Sequence, residues 1–396
     1  MKNNATSIDK TLLLTVVGVC LLGLVMVYSS SEAEAYVVYG NASYFFQHQV
    51  IWLVIGCVGG LFALGLDYHR LRALAPLLMV GATVLLVLVL VPHIGVSRNG
   101  ARRWFGFGSF TIQPAELAKL VAICYLARWL EKSGSRVRSM REGLLPFLLM
   151  LGLVVGLVLL EKDLGTSMVL AVIAIAMFMV AGARWTHLAA VAGGGAAAMV
   201  GLIKLEPYRY NRMAAFLNPW SDSLNTGFQS VQSVLALGSG GLTGVGLGHS
   251  IQKFQWLPEA HTDFIFAIIG EELGLIGTLV VLCLFCLLAY RGYRAALRAP
   301  DTFGLLLATG ITTWITFQAF VNMAAVAVVL PTTGIPLPFV SFGGSSLSVT
   351  LTAVGLLLNI SAQGVKPTVA RRAGIDIGRR HRGAHIPGAG RSTSFS

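Results

Sequence analysis

Apolar runs close to 20 residues long recur from one end of this chain almost to the other. Each is long enough to cross a hydrocarbon core of roughly 30 Å as a helix. The chain is therefore read as a polytopic membrane protein made of helices. Charged residues make up only 12% of it, against about 25% in a soluble domain. The expected fold class is an all-α polytopic membrane protein with ten transmembrane helices. The spans fall at about 11–29, 47–66, 72–91, 113–130, 143–160, 164–182, 186–203, 262–290, 303–330 and 342–362. A large outer loop, 204–261, separates spans seven and eight. The run from Thr11 to Tyr28 exceeds the roughly 7–15 residues of a signal-peptide core and reads as a retained helix.

An even number of spans puts both termini on one side. Segments on that side hold twenty of the 29 lysines and arginines; eight lie opposite, and Lys119 lies inside span four. The positive-inside rule makes the terminal side cytoplasmic. Residues 1–10 then form a cytoplasmic segment, 11–362 the membrane domain, and 363–396 a basic disordered cytoplasmic tail. The net charge of +12 is this bias plus the tail, so no nucleic-acid partner is expected. All five cysteines lie in apolar runs, which argues against disulfides and zinc. There is no Gly-x-x-x-x-Gly-Lys-Ser/Thr loop. With no nucleotide expected, a reaction here draws its energy from its substrate or from a gradient.

Polar residues in such a chain mark function by default. The run Pro258-Glu-Ala-His-Thr-Asp-Phe-Ile-Phe-Ala-Ile-Ile-Gly-Glu-Glu-Leu-Gly274 carries His261, Asp263, Glu271 and Glu272. Thr262 is expected to cap a helix and put Asp263 in its first turn, ionised by the helix N-terminus. Two readings of Asp263 stand: proton acceptor for a sugar hydroxyl, or anchor of the helix end. Glu271 and Glu272 lie about 12–13 Å further along the helix; a proton path and pairing with a neighbouring helix are both open. The small residues Ala267, Gly270, Gly274 and Gly277 share a face with Asp263 and suggest close packing. Span four opens Gln113-Pro-Ala-Glu-Leu-Ala-Lys119, with Glu116 and Lys119 on one face, as a structural pair or a polar-substrate contact. Glu161-Lys-Asp-Leu-Gly-Thr-Ser167 makes a charged turn whose carboxylates do not by themselves define a cation site. Arg102, Arg103, Arg209 and Arg212 oppose the positive-inside trend and suit phosphate or lipid headgroups. Phe228 to Leu237, including Gln232, reads as an amphipathic interfacial segment, and Gly238 to Gly248 as a mobile or closely approached stretch. Pro331-Thr-Thr-Gly-Ile-Pro-Leu-Pro338 cannot be a regular helix and leads into Ser341-Phe-Gly-Gly-Ser-Ser346.

These stretches, in this order, resemble the SEDS proteins, the membrane glycan polymerases of bacterial cell-wall synthesis. Gly246 to Lys253, Leu257 to Ala260 and Asn218-Pro-Trp220 are most similar to the division branch, with the sporulation branch close and elongation further off. The resemblance implies a lipid II substrate, sugar-hydroxyl attack with inversion, and release of undecaprenyl pyrophosphate. It implies Asp263 as base. Glu116, Lys119, Asp163, Arg102, Arg103, Arg209, Arg212, Gln232, His261, Ser345 and Ser346 would contact substrate. A divalent cation, magnesium or manganese, is an expectation without assigned ligands. A class B penicillin-binding protein and other divisome membrane proteins are the expected partners, at the septum of the bacterial cytoplasmic membrane. A lipid II flippase and a catalytically idle scaffold are the competing functions. Candidate charges gathered away from the midplane weigh against the first.

Overall fold

The computed structural model describes residues 8–98, 100–107, 110–205, 207–254 and 256–364, with side chains for all of these except 98, 107 and 207–209. The basic tail lies outside them. The chain is a multi-pass helical membrane protein. Among the described residues, eight helices are long and apolar enough to cross a membrane. They are α1 (Lys10–Tyr39), α2 (Tyr44–Gly65), α3 (Tyr68–Leu90), the Met140–Leu160 run that holds α5 (Leu145–Leu160), α7 (Trp185–Leu205), α10 (Ile265–Leu297), α11 (Thr302–Val326) and α12 (Gly344–Gln363). Two further helices fall on expected spans: α6 (Leu164–Val180) is apolar but short, and α4 (Pro114–Ser133) is long enough but charged.

The all-α expectation needs correction. Between α3 and α4 lies an antiparallel sheet of β1 (Val96–Arg98), β2 (Ala101–Phe107) and β3 (Phe110–Ile112). Its strands carry Val96, Trp104, Phe105, Phe107, Phe110, Thr111 and Ile112, aromatic and β-branched residues that suit a pleated surface, and Gly100 at φ +73 turns the first hairpin. The large loop is also more ordered than expected. It folds into α8 (Pro207–Leu217), a short 3-10 turn at Pro219–Asp222, and α9 (Phe228–Ser239). Helix α1 runs ten residues past its predicted end at 29.

Helix α11 is the axis of the bundle: 83% of its apolar window is buried, against α10, α6 and α4. Helix α12 packs on α2 through Gly56 and Gly60, spaced four apart, where a Cβ on Gly60 would sit 2.9 Å from the Leu351 carbonyl. Helix α10 spans 33 residues, about 50 Å at 1.5 Å per residue, longer than the hydrocarbon core. Its helical path breaks at Gly274 (φ 67, ψ −164). The segment 331–343 between α11 and α12 is irregular yet buried, with Ile335, Leu337 and Val340 at 3% exposure or less. Non-helical backbone at such depth survives only where protein satisfies its polar groups. Here Gln318 donates to the Pro336 carbonyl (2.9 Å), Asn322 to that of Ile335 (2.9 Å), and the Leu337 amide to Ser341 Oγ (2.8 Å).

Candidate functional site

Asp263 does not sit where its sequence suggested. Helix α10 begins at Ile265 with Phe264 as its N-cap residue, so neither Thr262 nor Asp263 belongs to the first turn. Thr262 instead donates to Glu259 (2.8 Å). Asp263 lies in a turn pinned from behind: Asn322 on α11 donates to its backbone carbonyl at 2.7 Å, and Ser341 to that of Thr262 at 2.5 Å. The turn is thereby fixed to 331–343 by side chains on two other elements.

The half-buried Asp263 carboxylate faces Gly334. A Cβ there would lie 3.6 Å from Asp263 Oδ2 and 3.8 Å from Arg212 Nη1, so acid and guanidinium converge on one backbone position. Gly334 has φ +71, which favours glycine as well. Arg212, on α8, donates to the Thr332 carbonyl (3.2 Å). Burial and then the neighbouring Glu259 carboxylate push the Asp263 carboxyl up to about 6, against the pull of Arg212 and Arg103, with Asp163 adding to the rise. The expectation of an acid held ionised by a helix dipole is therefore wrong in its cause. Its environment makes Asp263 a stronger base than an ordinary aspartate, while leaving it mostly ionised at neutral pH.

A second set of charges adjoins the first. Asp163 caps α6, accepting from the Thr166 amide and hydroxyl, both at 3.0 Å, and from Gln113 Nε2 at 3.1 Å. Arg103 on β2 reaches over the turn before α6. It donates to the carbonyls of Glu161 (3.1 Å) and Lys162 (2.5 Å), with Nη1 3.9 Å from Asp163. A Cβ on Gly165 would press on the Thr333 carbonyl at 2.7 Å, so the start of α6 abuts the same 331–343 segment. Below this, Glu116 and Lys119 form the expected i,i+3 pair at 2.8 Å, both almost fully buried. Lys119 also meets Gln318 Oε1 (2.9 Å) and the face of Trp314 (4.8 Å). Ser346 donates to Glu116 (2.8 Å), and Ser345 accepts from the Gln113 amide (3.2 Å).

The structure thus gathers Asp263, Arg212, Arg103, Asp163, Glu116, Lys119, Ser345 and Ser346 along one irregular segment. It does not bring in the rest. His261 pairs with Glu34 of α1 at 3.2 Å and stacks near Phe45. Arg102 is exposed and Gln232 half-buried. The Arg209 side chain lies outside the described residues. Glu271 and Glu272 also stand apart. Glu271 accepts from Ser250 Oγ and the Ile251 amide (2.9 Å); Glu272 accepts from Ser29 of α1 (2.7 Å) and faces Lys253 at 3.7 Å. The Gly-rich stretch approaches α10 closely, as the Val245 and Gly246 amides bond the carbonyls of Glu271 and Glu272, both at 3.0 Å. The small-residue face of α10 accordingly meets α9 at Gly270 and this stretch at Gly274, rather than a spanning helix. The sequence reading missed Gln318 and Asn322. Two amides four residues apart in the most buried apolar helix were the signal available.

Residues 10–366 match the model of the FtsW/RodA/SpoVE family, described as cell cycle protein. The chain belongs to that family. It is 44% identical over 361 residues to stage V sporulation protein E of Bacillus subtilis, covering 91% of this chain and 99% of that one. It is 43% identical over 355 residues to the probable peptidoglycan glycosyltransferase FtsW of Geobacter metallireducens, covering 90% and 95%. Among solved structures, a chain of a peptidoglycan synthase complex that coordinates polymerization and crosslinking superposes with a TM-score of 0.75 at 32% identity, covering 89% of this chain and 97% of that one. The matched residues include 331–343, the segment that threads the site.

Proposed function

We propose that this chain is a peptidoglycan glycosyltransferase that polymerises lipid II. The observation that carries the reading is the meeting of a raised-pKa carboxylate, Asp263, with the Arg212 guanidinium over Gly334. Base and phosphate-suited cation stand side by side, as transfer from a lipid pyrophosphate requires. The acceptor sugar hydroxyl gives its proton to Asp263 as its oxygen attacks the anomeric carbon of the growing chain. A glycosidic C–O bond forms, the anomeric C–O bond to phosphate breaks with inversion, and undecaprenyl pyrophosphate leaves with the electron pair. Arg212 and Arg103 hold phosphate oxygens, with exposed Arg102 next along β2. The Glu116–Lys119 pair with Ser345 and Ser346 offers hydrogen bonds to the sugar or its peptide. Among the described residues no cluster of three or more His, Cys, Asp or Glu side chains is placed to hold a metal ion.

In this reading α4 and α6 also cross, giving ten spans and both termini in the cytoplasm of a bacterial inner-membrane protein. The Asp263 end then faces outward, where cell wall is assembled. A class B penicillin-binding protein crosslinks the product, with other divisome proteins alongside at the septum. The test is polymerisation of labelled lipid II by the purified protein with its penicillin-binding partner. Long glycan is expected, and none from Asp263→Asn, a loss of at least the ~10²–10⁴-fold that a general base supplies. Scrambling of lipid II in vesicles without any polymer would overturn the reading in favour of a flippase.

A further inference from the structure

Glu161 has no place in the chemistry above, yet among the described residues it is the carboxylate whose two buried oxygens both lack a hydrogen-bond partner. It closes α5 and is 1% exposed. A buried ionised carboxylate left so bare is strongly disfavoured. Its charged surroundings come from two elements. Asp163, at the start of α6, repels its anion; Arg103, on β2, attracts it but spends Nε and Nη2 on the carbonyls of Glu161 and Lys162. Lys162, between the two acids, is exposed and turns the chain at φ +61.

We propose that Glu161 is a proton-holding positioning residue: as a neutral acid it leaves Arg103 shared between the turn and Asp163, and on losing its proton it draws Arg103 away from the site. The geometry gives the coupling. The guanidinium that holds the turn also points its third nitrogen toward Asp163, 3.9 Å away, so a second anion in the turn competes directly for it. Burial first, and then Asp163, push the Glu161 carboxyl up to about 8 against the pull of Arg103. The site would then lose its arrangement on the alkaline side.

The proton itself can be read without substrate. A group whose folded pKa is raised destabilises the fold as pH climbs from its unfolded value to its folded one. Relative to Glu161→Gln, the thermal midpoint of the wild type should therefore fall from about pH 4.5 to about pH 8 and run parallel above that. Infrared titration of the wild type should show a protonated carboxyl band that persists above pH 7 and is missing from Glu161→Gln. The positioning role rests on the glycosyltransferase reading. Wild-type polymerisation should drop with a midpoint near pH 8, and Glu161→Gln should lack that alkaline limb. Identical limbs in the two proteins would overturn the positioning role, and a pH-independent gap in midpoint with no persistent band would overturn the proton. Absence of polymer from both proteins at every pH, with the midpoint and band behaving as stated, counts against the glycosyltransferase reading alone.

Discussion

Asp263 and Glu272 sit nine residues apart in one acidic run, and the fold treats them in opposite ways. Glu272 is fully buried and partnered, with the Ser29 hydroxyl shared between both oxygens and Lys253 alongside. Asp263 is half-buried; its backbone is clamped, while its carboxylate faces a glycine, an arginine and a repelling glutamate. A fully buried, partnered acid ties elements together and is closed off from a substrate. A carboxylate whose own carbonyl is fixed but whose oxygens stay available is prepared for one. The contrast fits the proposed roles, support for Glu272 and chemistry for Asp263, although either would pass as a rare intramembrane acid in the sequence.

The comparison can be broken from the structural side first. Glu272→Ala leaves Lys253 buried without its counter-ion, which costs about 3–5 kcal/mol for a buried pair; thermal unfolding in detergent should show a large drop in midpoint. Next in size is Arg212→Ala. Losing a charge-assisted hydrogen bond costs about 1.5–3 kcal/mol, so KM for lipid II should rise roughly 10- to 100-fold while the midpoint changes little. The Asp263 end is also sharpened by pH. With its carboxyl at about 6, kcat/KM should fall about tenfold per unit below that value and hold level above it until the alkaline limb near pH 8. The smallest effect tests how α9 is held. Ser233 donates to the Val326 carbonyl at the end of α11 at 2.6 Å, and Ser233→Ala should cost about 1 kcal/mol of stability without moving either pH limb.

Much of the fold was visible in the sequence, and the parts that were not have physical reasons. Apolar length located the helices because a bilayer allows little else. The pair Glu116–Lys119 was legible from i,i+3 spacing. The sheet was missed because its strands Val96–Arg98 and Phe110–Ile112 are three residues each and too short for a period to register. The start of α10 was misplaced because Thr262 is a good capping residue that here spends its hydroxyl on Glu259. Glu161 looked like one of three charges meeting in a tight turn. Only the fold shows that Lys162 points out while Glu161 points in. The convergence of α8, α11 and 331–343 on Asp263 joins residues from 212 to 341, a long-range arrangement that no local pattern encodes.

The central claim is that Asp263 carries the reaction and Glu272 the structure. The most direct measurement sets lipid II polymerisation beside thermal midpoint for Asp263→Asn and Glu272→Gln, each with the penicillin-binding partner. The raised Asp263 carboxyl weakens the fold between pH 3.8 and about 6, so at neutral pH the Asn variant should melt no lower than wild type and make no glycan. Glu272→Gln should melt lower and still polymerise below its midpoint. Polymerisation by Asp263→Asn at the wild-type rate, or a stable Glu272→Gln that makes no glycan, would contradict the account.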